Sequence, residues 1–185
     1  MSRRPENAAP PRAEGGADTP PDEAGAMPLL RVSGLRVAFD GDEGRTVAVD
    51  GVSFEVGAGR ALGIVGESGC GKSVTSLAIL RLLPEPPARV LGGEIVLAGR
   101  DLLRLSEREM RAVRGREVAM IFQDPSSALN PVIRIGAQIV EGLRAQLGLS
   151  SAAARARAIS LLEKVGIPAP EERVASFPHE QSGGM

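Results

Sequence analysis

Gly66-Glu67-Ser68-Gly69-Cys70-Gly71-Lys72-Ser73 is the stretch that decides the fold class of this chain. It fits the pattern Gly, four residues, Gly, Lys, then Ser or Thr, which belongs to a loop joining a strand to a helix. In such a loop successive backbone N–H groups converge on phosphate oxygens at a helix N-terminus. Gly66, Gly69 and Gly71 permit that path, because a Cβ would block either the turn or the close approach of a ligand. Lys72 would carry a point charge to β- and γ-phosphates, and the Ser73 hydroxyl would ligate Mg²⁺. Glu67, Ser68, Cys70 and Val74 complete the candidate cradle. The flanks agree with this reading. Arg60–Val65 is a short apolar run bounded by glycines and is expected to be a buried strand. Val74–Leu83 is expected to be an apolar helix, stopped by Pro84. A nucleotide-binding loop follows from these residues; the reaction does not.

Upstream, the pattern reads as short β runs at Leu29–Val32, Leu35–Phe39, Val47–Val49 and Val52–Val56, with Gly41-Asp42-Glu43-Gly44 as a loop. Residues 1–28 are rich in Pro, Ala, Gly and acidic groups and are expected to form a disordered tail. Downstream, Gly93–Leu97 and Glu117–Phe122 are expected strands. Ser106-Glu107-Arg108-Glu109 has the form of a capping box opening a short helix. Two amphipathic helices follow, at about Val132–Leu147 and Ser151–Val165, with Ser150 placed to cap the second. The basic group Arg100, Arg104, Arg108, Arg111, Arg114 and Arg116 alternates with Asp101, Glu107 and Glu109 and reads as a solvated face.

Composition bounds the function. The 185 residues carry a formal net charge of -1, which argues against nucleic-acid binding through bulk electrostatics. The single cysteine, Cys70, excludes an intramolecular disulfide and a cysteine-based zinc site. Neither a secretory signal nor a run of about 18 apolar residues is present, so membrane association is expected to come through a partner.

From Leu29 to Met185 the chain resembles the ATP-binding-cassette ATPases. "VAVDGVSFEVGAGRALGIVGESGCGKS", "VAMIFQDPSSALNPV" and "FPHEQSGGM" carry the likeness. The resemblance implies ATP and Mg²⁺ as cofactors. Gln123 matches the Q-loop residue, which reaches toward Mg²⁺ and the γ-phosphate, so Lys72 and Gln123 are the implied catalytic groups. Ser182, Gly183 and Gly184 match the signature that engages the nucleotide held by an opposing subunit. Gln181 departs there from the usual Leu, and Met185 replaces the usual Gln. Phe39 matches the aromatic that stacks on adenine. His179, Phe54 and Phe177 are expected to be structural. "DPSSALNPV", residues 124–132, is similar to the importers of dipeptides, oligopeptides and nickel.

The implied architecture is an α/β P-loop fold with an N-terminal antiparallel β subdomain and a partial α-helical subdomain, incomplete at the C-terminus. Its expected parts are a nucleotide-binding domain over 29–185, a helical subdomain over about 130–180 and the signature at 181–185. The implied function is that of the ATP-binding subunit of a peptide importer, peripheral at the cytoplasmic face of the bacterial inner membrane. It would pair head-to-tail with a second ATPase subunit, contact membrane permeases and serve a substrate-binding protein indirectly, without nucleic acid. No Walker B strand with its Asp and Glu occurs within these residues, so alone they are expected to be hydrolytically inactive and to leave apolar faces of the parallel sheet uncovered. Two alternatives stay open: a non-hydrolytic nucleotide-binding remnant, and a soluble cassette ATPase unconnected with transport.

Overall fold

Valines recur through the segment after Leu29, at positions 32, 37, 47, 49, 52 and 56, and in the computed structural model this segment enters an antiparallel sheet. The structure describes residues 27–185 apart from 43, 123–127 and 183, so nearly all of the expected 1–28 tail lies outside the described residues. The chain divides into two units. One contains the residues up to Lys72 together with Pro84–Leu102, and the other contains Ser73–Leu83 with Leu103–Met185.

The first unit holds β1 (Leu30–Gly41), β2 (Gly44–Val56), β3 (Ala88–Leu97) and the short β4 (Arg100–Asp101), in the order β2-β1-β3-β4. All pairings are antiparallel. The four short runs expected upstream are thus two long strands, each continuous across a register irregularity. Ala98 and Gly99, at φ 46° and 79°, make the two-residue turn into β4, as the twist of a hairpin requires. Val32, Leu35 and Val37 of the central strand are buried with Val49, Ile95, Leu97 and Leu102. These aliphatic side chains supply the unit's hydrophobic stabilisation.

One expected element is missing from this unit. Residues 60–65 form no strand, and Leu62, Ile64 and Val65 are exposed, Val65 to 95 %. A strand exists only by pairing, and among the described residues nothing pairs with this run; its apolar character alone does not make it a strand. The same correction holds in the second unit for Glu117–Phe122. There only an isolated bridge joins Arg114 to Val118, and Ile121 is 98 % exposed.

The second unit is helical. The P-loop helix α1 spans Lys72–Ile79, and most of it lies here; α2 (Glu107–Val113), α3 (Ile135–Leu147), α4 (Ser151–Lys164) and α5 (Pro170–Arg173) follow. Two helix starts agree with the sequence. The Ser106 hydroxyl accepts from Glu109 N while Glu109 Oε2 accepts from Ser106 N at 2.7 Å. Ser150 Oγ accepts from Ala153 N at 3.3 Å. Ala154 and Ala158 are the buried residues of α4, where their small side chains allow close packing.

Arg114 does not belong to a solvated face. Its side chain is only 19 % exposed. Its Nε donates to Leu80 O at 2.7 Å and one Nη to Arg81 O at 2.9 Å, while the other pairs with Glu107 at 2.6 Å. Carbonyls just past the end of α1 lack helical partners, and a guanidinium there satisfies them and meets the negative end of the helix dipole. Sequence alternation of charges gave no sign of this, because the acceptors lie over thirty residues away.

The Arg114 guanidinium, by hydrogen bonding first and charge second, holds the Glu107 carboxyl below its ordinary range. A carboxylate with a lowered folded-state pKa stabilises at neutral pH and loses that contribution as pH falls through the folded value. Wild type is therefore expected to melt above Glu107→Gln at pH 7, with the gap closing below about pH 4. A gap of constant size from pH 7 to pH 3 would show that the ion pair contributes nothing.

Candidate nucleotide-binding site

The loop from Gly66 to Gly71 is irregular backbone that delivers Lys72 to the first position of α1. Gly69 and Gly71 have φ of +84° and +95°, which residues with a Cβ rarely adopt. Two of the glycines also sit close to neighbours, Gly66 to a side chain and Gly71 to backbone. A Cβ on Gly66 would lie 2.7 Å from Cys70 Sγ, and one on Gly71 would lie 2.5 Å from Ala48 O. Ala48 is the extra residue of β2 where the register slips between the Val37↔Val49 and Ala38↔Val47 pairs. The β-bulge thus presents its carbonyl side to the loop and seats Gly71, which is buried.

Lys72 folds back over the loop. Its Nζ donates to Gly66 O at 2.8 Å and to Glu67 O at 2.6 Å, with Cys70 Sγ at 3.4 Å. An ammonium held among carbonyls of a glycine-rich turn stands beside the backbone that would cradle an anion. Glu67, Ser68, Cys70 and Ser73 are exposed, and Val74 is half-buried. The residues present fit a polyphosphate: Cβ-free positions where bulk is forbidden, an adjacent ammonium, and a hydroxyl at the helix start. Mg²⁺ commonly takes one or two protein oxygens together with phosphates, and Ser73 is the residue here to supply one.

Phe39 is half-buried within β1, between Thr46 of β2 and Ala88 of β3. Next to it, Asp40 accepts from Arg45 and Arg89. The Arg45 bond chiefly, with Arg89 second, holds the Asp40 carboxyl below its usual range. Phe54 is half-buried opposite Val32.

Gln123 and Gly183 lie outside the described residues. Ser182 and Gly184 are exposed in a terminal turn, where Met185 N donates to Ser182 O at 2.9 Å. Phe177 and His179 stack with ring centroids 5.6 Å apart, and Glu180 Oε2 accepts from Phe177 N at 2.7 Å. The Arg134 guanidinium lies 4.9 Å from the Phe177 ring centroid. Sequence reasoning passed over Arg134, Gly136 and Gln138. Gly136, a glycine inside a helical pattern, was the one visible signal, since it marks close packing.

The model of the ABC transporter family matches residues 49–185. The chain belongs to that family. Its curated relatives include a probable peptide ABC transporter ATP-binding protein of Sinorhizobium fredii, 53% identical over 157 residues. The oligopeptide transport ATP-binding protein OppD of Bacillus subtilis is also 53% identical, and the dipeptide transport ATP-binding protein DppD of the same organism is 49% identical. Each match covers 85% of this chain but 44% to 47% of the relative, so this ABC chain spans about half the length of the curated relatives it matches. Among solved structures, a dimeric ATP-binding cassette in a post-hydrolysis state bound to ADP and Pi superposes with a TM-score of 0.69 at 21% identity. A dimeric bacterial ABC transporter cassette gives 0.68 at 20% identity. Each covers 84% of this chain and 64% of the solved one. At that identity the likeness establishes the ABC ATPase fold, in agreement with the α/β P-loop class expected from the sequence.

Proposed function

We propose that this chain binds Mg²⁺-ATP through Gly66–Ser73 and acts as the ATP-binding part of a peptide importer, binding and hydrolysis of ATP driving uptake through membrane permeases. The observation that carries the nucleotide reading is the Lys72 ammonium folded among the carbonyls of a loop whose Gly71 has no room for a Cβ. The names of the curated relatives support the peptide as cargo. In this reading Phe39 stacks on adenine, Ser73 and Gln123 hold the metal, and Ser182, Gly183 and Gly184 close on the nucleotide of a second subunit. The proposed nucleotide-binding domain runs over 29–185, with the phosphate loop at 66–73, the Q-loop around 123, the helical subdomain at about 130–180 and the signature at 181–185. The place of action is peripheral to a membrane; no helix among the described residues is long and apolar enough to cross one.

Catalysis of phosphoryl transfer is positioning plus electrostatics. Lys72 supplies charge at the β- and γ-phosphates, and the loop N–H groups orient them. Mg²⁺, which Ser73 and Gln123 would hold, would supply positive charge against the negative charge of the phosphates.

Cys70 gives a direct test, since it is exposed and no other cysteine competes. A maleimide is expected to label the empty chain, and saturating Mg²⁺-ATP to slow labelling about tenfold or more by mass action on an occupied loop. Adenosine, which lacks phosphates, should protect far less. Labelling at one rate with and without ATP would refute binding at this loop.

A further inference from the structure

The first turn of α3 lacks the Ser, Thr, Asp or Asn that normally caps a helix: Arg134 occupies the N-cap with no side-chain cap bond. Its donors go elsewhere. Ile135 N donates to Ser176 O and Gly136 N to Val174 O, both at 2.9 Å. Gly136 makes that approach possible, since a Cβ there would lie 2.5 Å from Val174 O. Arg134 adds a bond to Ala175 O and its stack on Phe177. The same turn grips a second loop. Gln138 Oε1 accepts from Asn130 N at 2.9 Å, and its Nε2 donates to Asn130 O at 2.9 Å and Ile133 O at 2.8 Å. Asn130 Oδ1 in turn accepts from Val132 N at 3.1 Å, closing the loop around Pro131.

One helical turn therefore holds two loops that are more than forty residues apart in sequence. Asn130–Ile133 ends the stretch that begins at Gln123; Val174–Phe177 leads through the Glu180-capped turn to Ser182. We infer that α3's first turn is a clasp that makes these two loops move as one piece, with Gln138 and Arg134 as positioning residues for the Ser182–Met185 turn. The functional meaning of that coupling rests on the signature reading of Ser182–Gly184; the clasp itself does not. The physical reason is that both loops bond to one helical turn, Asn130–Ile133 through the Gln138 side chain and 174–176 through Arg134, Ile135 N and Gly136 N. Once Asn130–Ile133 is released, the turn at Arg134–Gly136 loses the anchor that fixes its position, and its bonds to 174–176 loosen with it.

The test is amide exchange, followed residue by residue by NMR in the full 185-residue chain. Gln138→Ala is expected to speed exchange at Ile135 and Gly136 by roughly fivefold or more, the scale of one lost hydrogen bond, although the Gln138 side chain bonds to Asn130 and Ile133 and not to the residues they pair with. The capped amides Glu109 and Ala153, in the same unit but outside the clasp, should keep their wild-type rates. Arg134→Met should give the same pattern, Arg134→Lys should largely restore it, and the double variant should fall short of the product of the singles. Acceleration confined to 130–133 would overturn the proposal. So would equal acceleration at Glu109 and Ala153, which would mean general loosening. ATP binding is read separately through Cys70 protection, so failure of the nucleotide reading and failure of the clasp give different results.

Discussion

Gly93→Ala is expected to destabilise the sheet by about 4 kcal/mol, with backbone strain and overpacking each contributing roughly 2. Gly93 has φ +102°, and a Cβ there would meet Leu35 Cα at 2.6 Å and Gly34 O and Leu35 N at 2.7 Å, all of them backbone atoms that cannot swing aside. The position is a β-bulge: Ser33 pairs with Glu94 and Arg36 with Gly92, which leaves Gly34 and Leu35 opposite Gly93 alone. Gly34 N finds a partner in Ser53 Oγ at 2.8 Å, so the irregularity leaves this donor satisfied. Gly34→Ala is the control. It has φ +57° but nothing within 4 Å of its added Cβ, so only left-handed strain of about 1–2 kcal/mol applies. Denaturant melts of both variants decide the matter. Equal losses would mean that β1 and β3 can separate to admit a methyl group and that the close approach is not a constraint.

Lys72→Ala is expected to weaken Mg²⁺-ATP binding about 10- to 100-fold, the range for losing charge-assisted hydrogen bonds of about 1.5–3 kcal/mol. Adenosine affinity should change little, because the lost charge acts on phosphate. The structure makes this contrast necessary: Lys72 also donates to Gly66 O and Glu67 O, so its removal could disorder the loop. A disordered loop that also carried the base contacts would weaken both ligands alike. Calorimetric titration of each ligand separates the two, and parallel losses would assign Lys72 a scaffolding role.

Local chemistry made several elements legible. Ser106 and Glu109, and Ser150, were readable as helix starts because a cap is satisfied within three residues of itself. The glycines of the P-loop were readable because φ near +84° and +95° at Gly69 and Gly71 excludes other residues. Arg60–Val65 and Glu117–Phe122 were misread for the converse reason. Their apolar runs express a capacity to pair, and pairing depends on a neighbour that no local pattern can supply.

The sequence by itself determined the candidate phosphate loop, the β runs after Leu29, the helix starts at Ser106 and Ser150 and the resemblance to the cassette ATPases. All of these follow from residue types at fixed short spacings. Only the tertiary structure decided that Gly71 seats against the Ala48 bulge, that Arg114 caps the end of α1, and that α3 starts at Ile135 with donors spent on Val174 and Ser176. Each joins groups more than twenty residues apart. Such a contact is set by where the packed elements bring a carbonyl, and a hydrogen bond reports the distance between its atoms, whatever their separation along the chain.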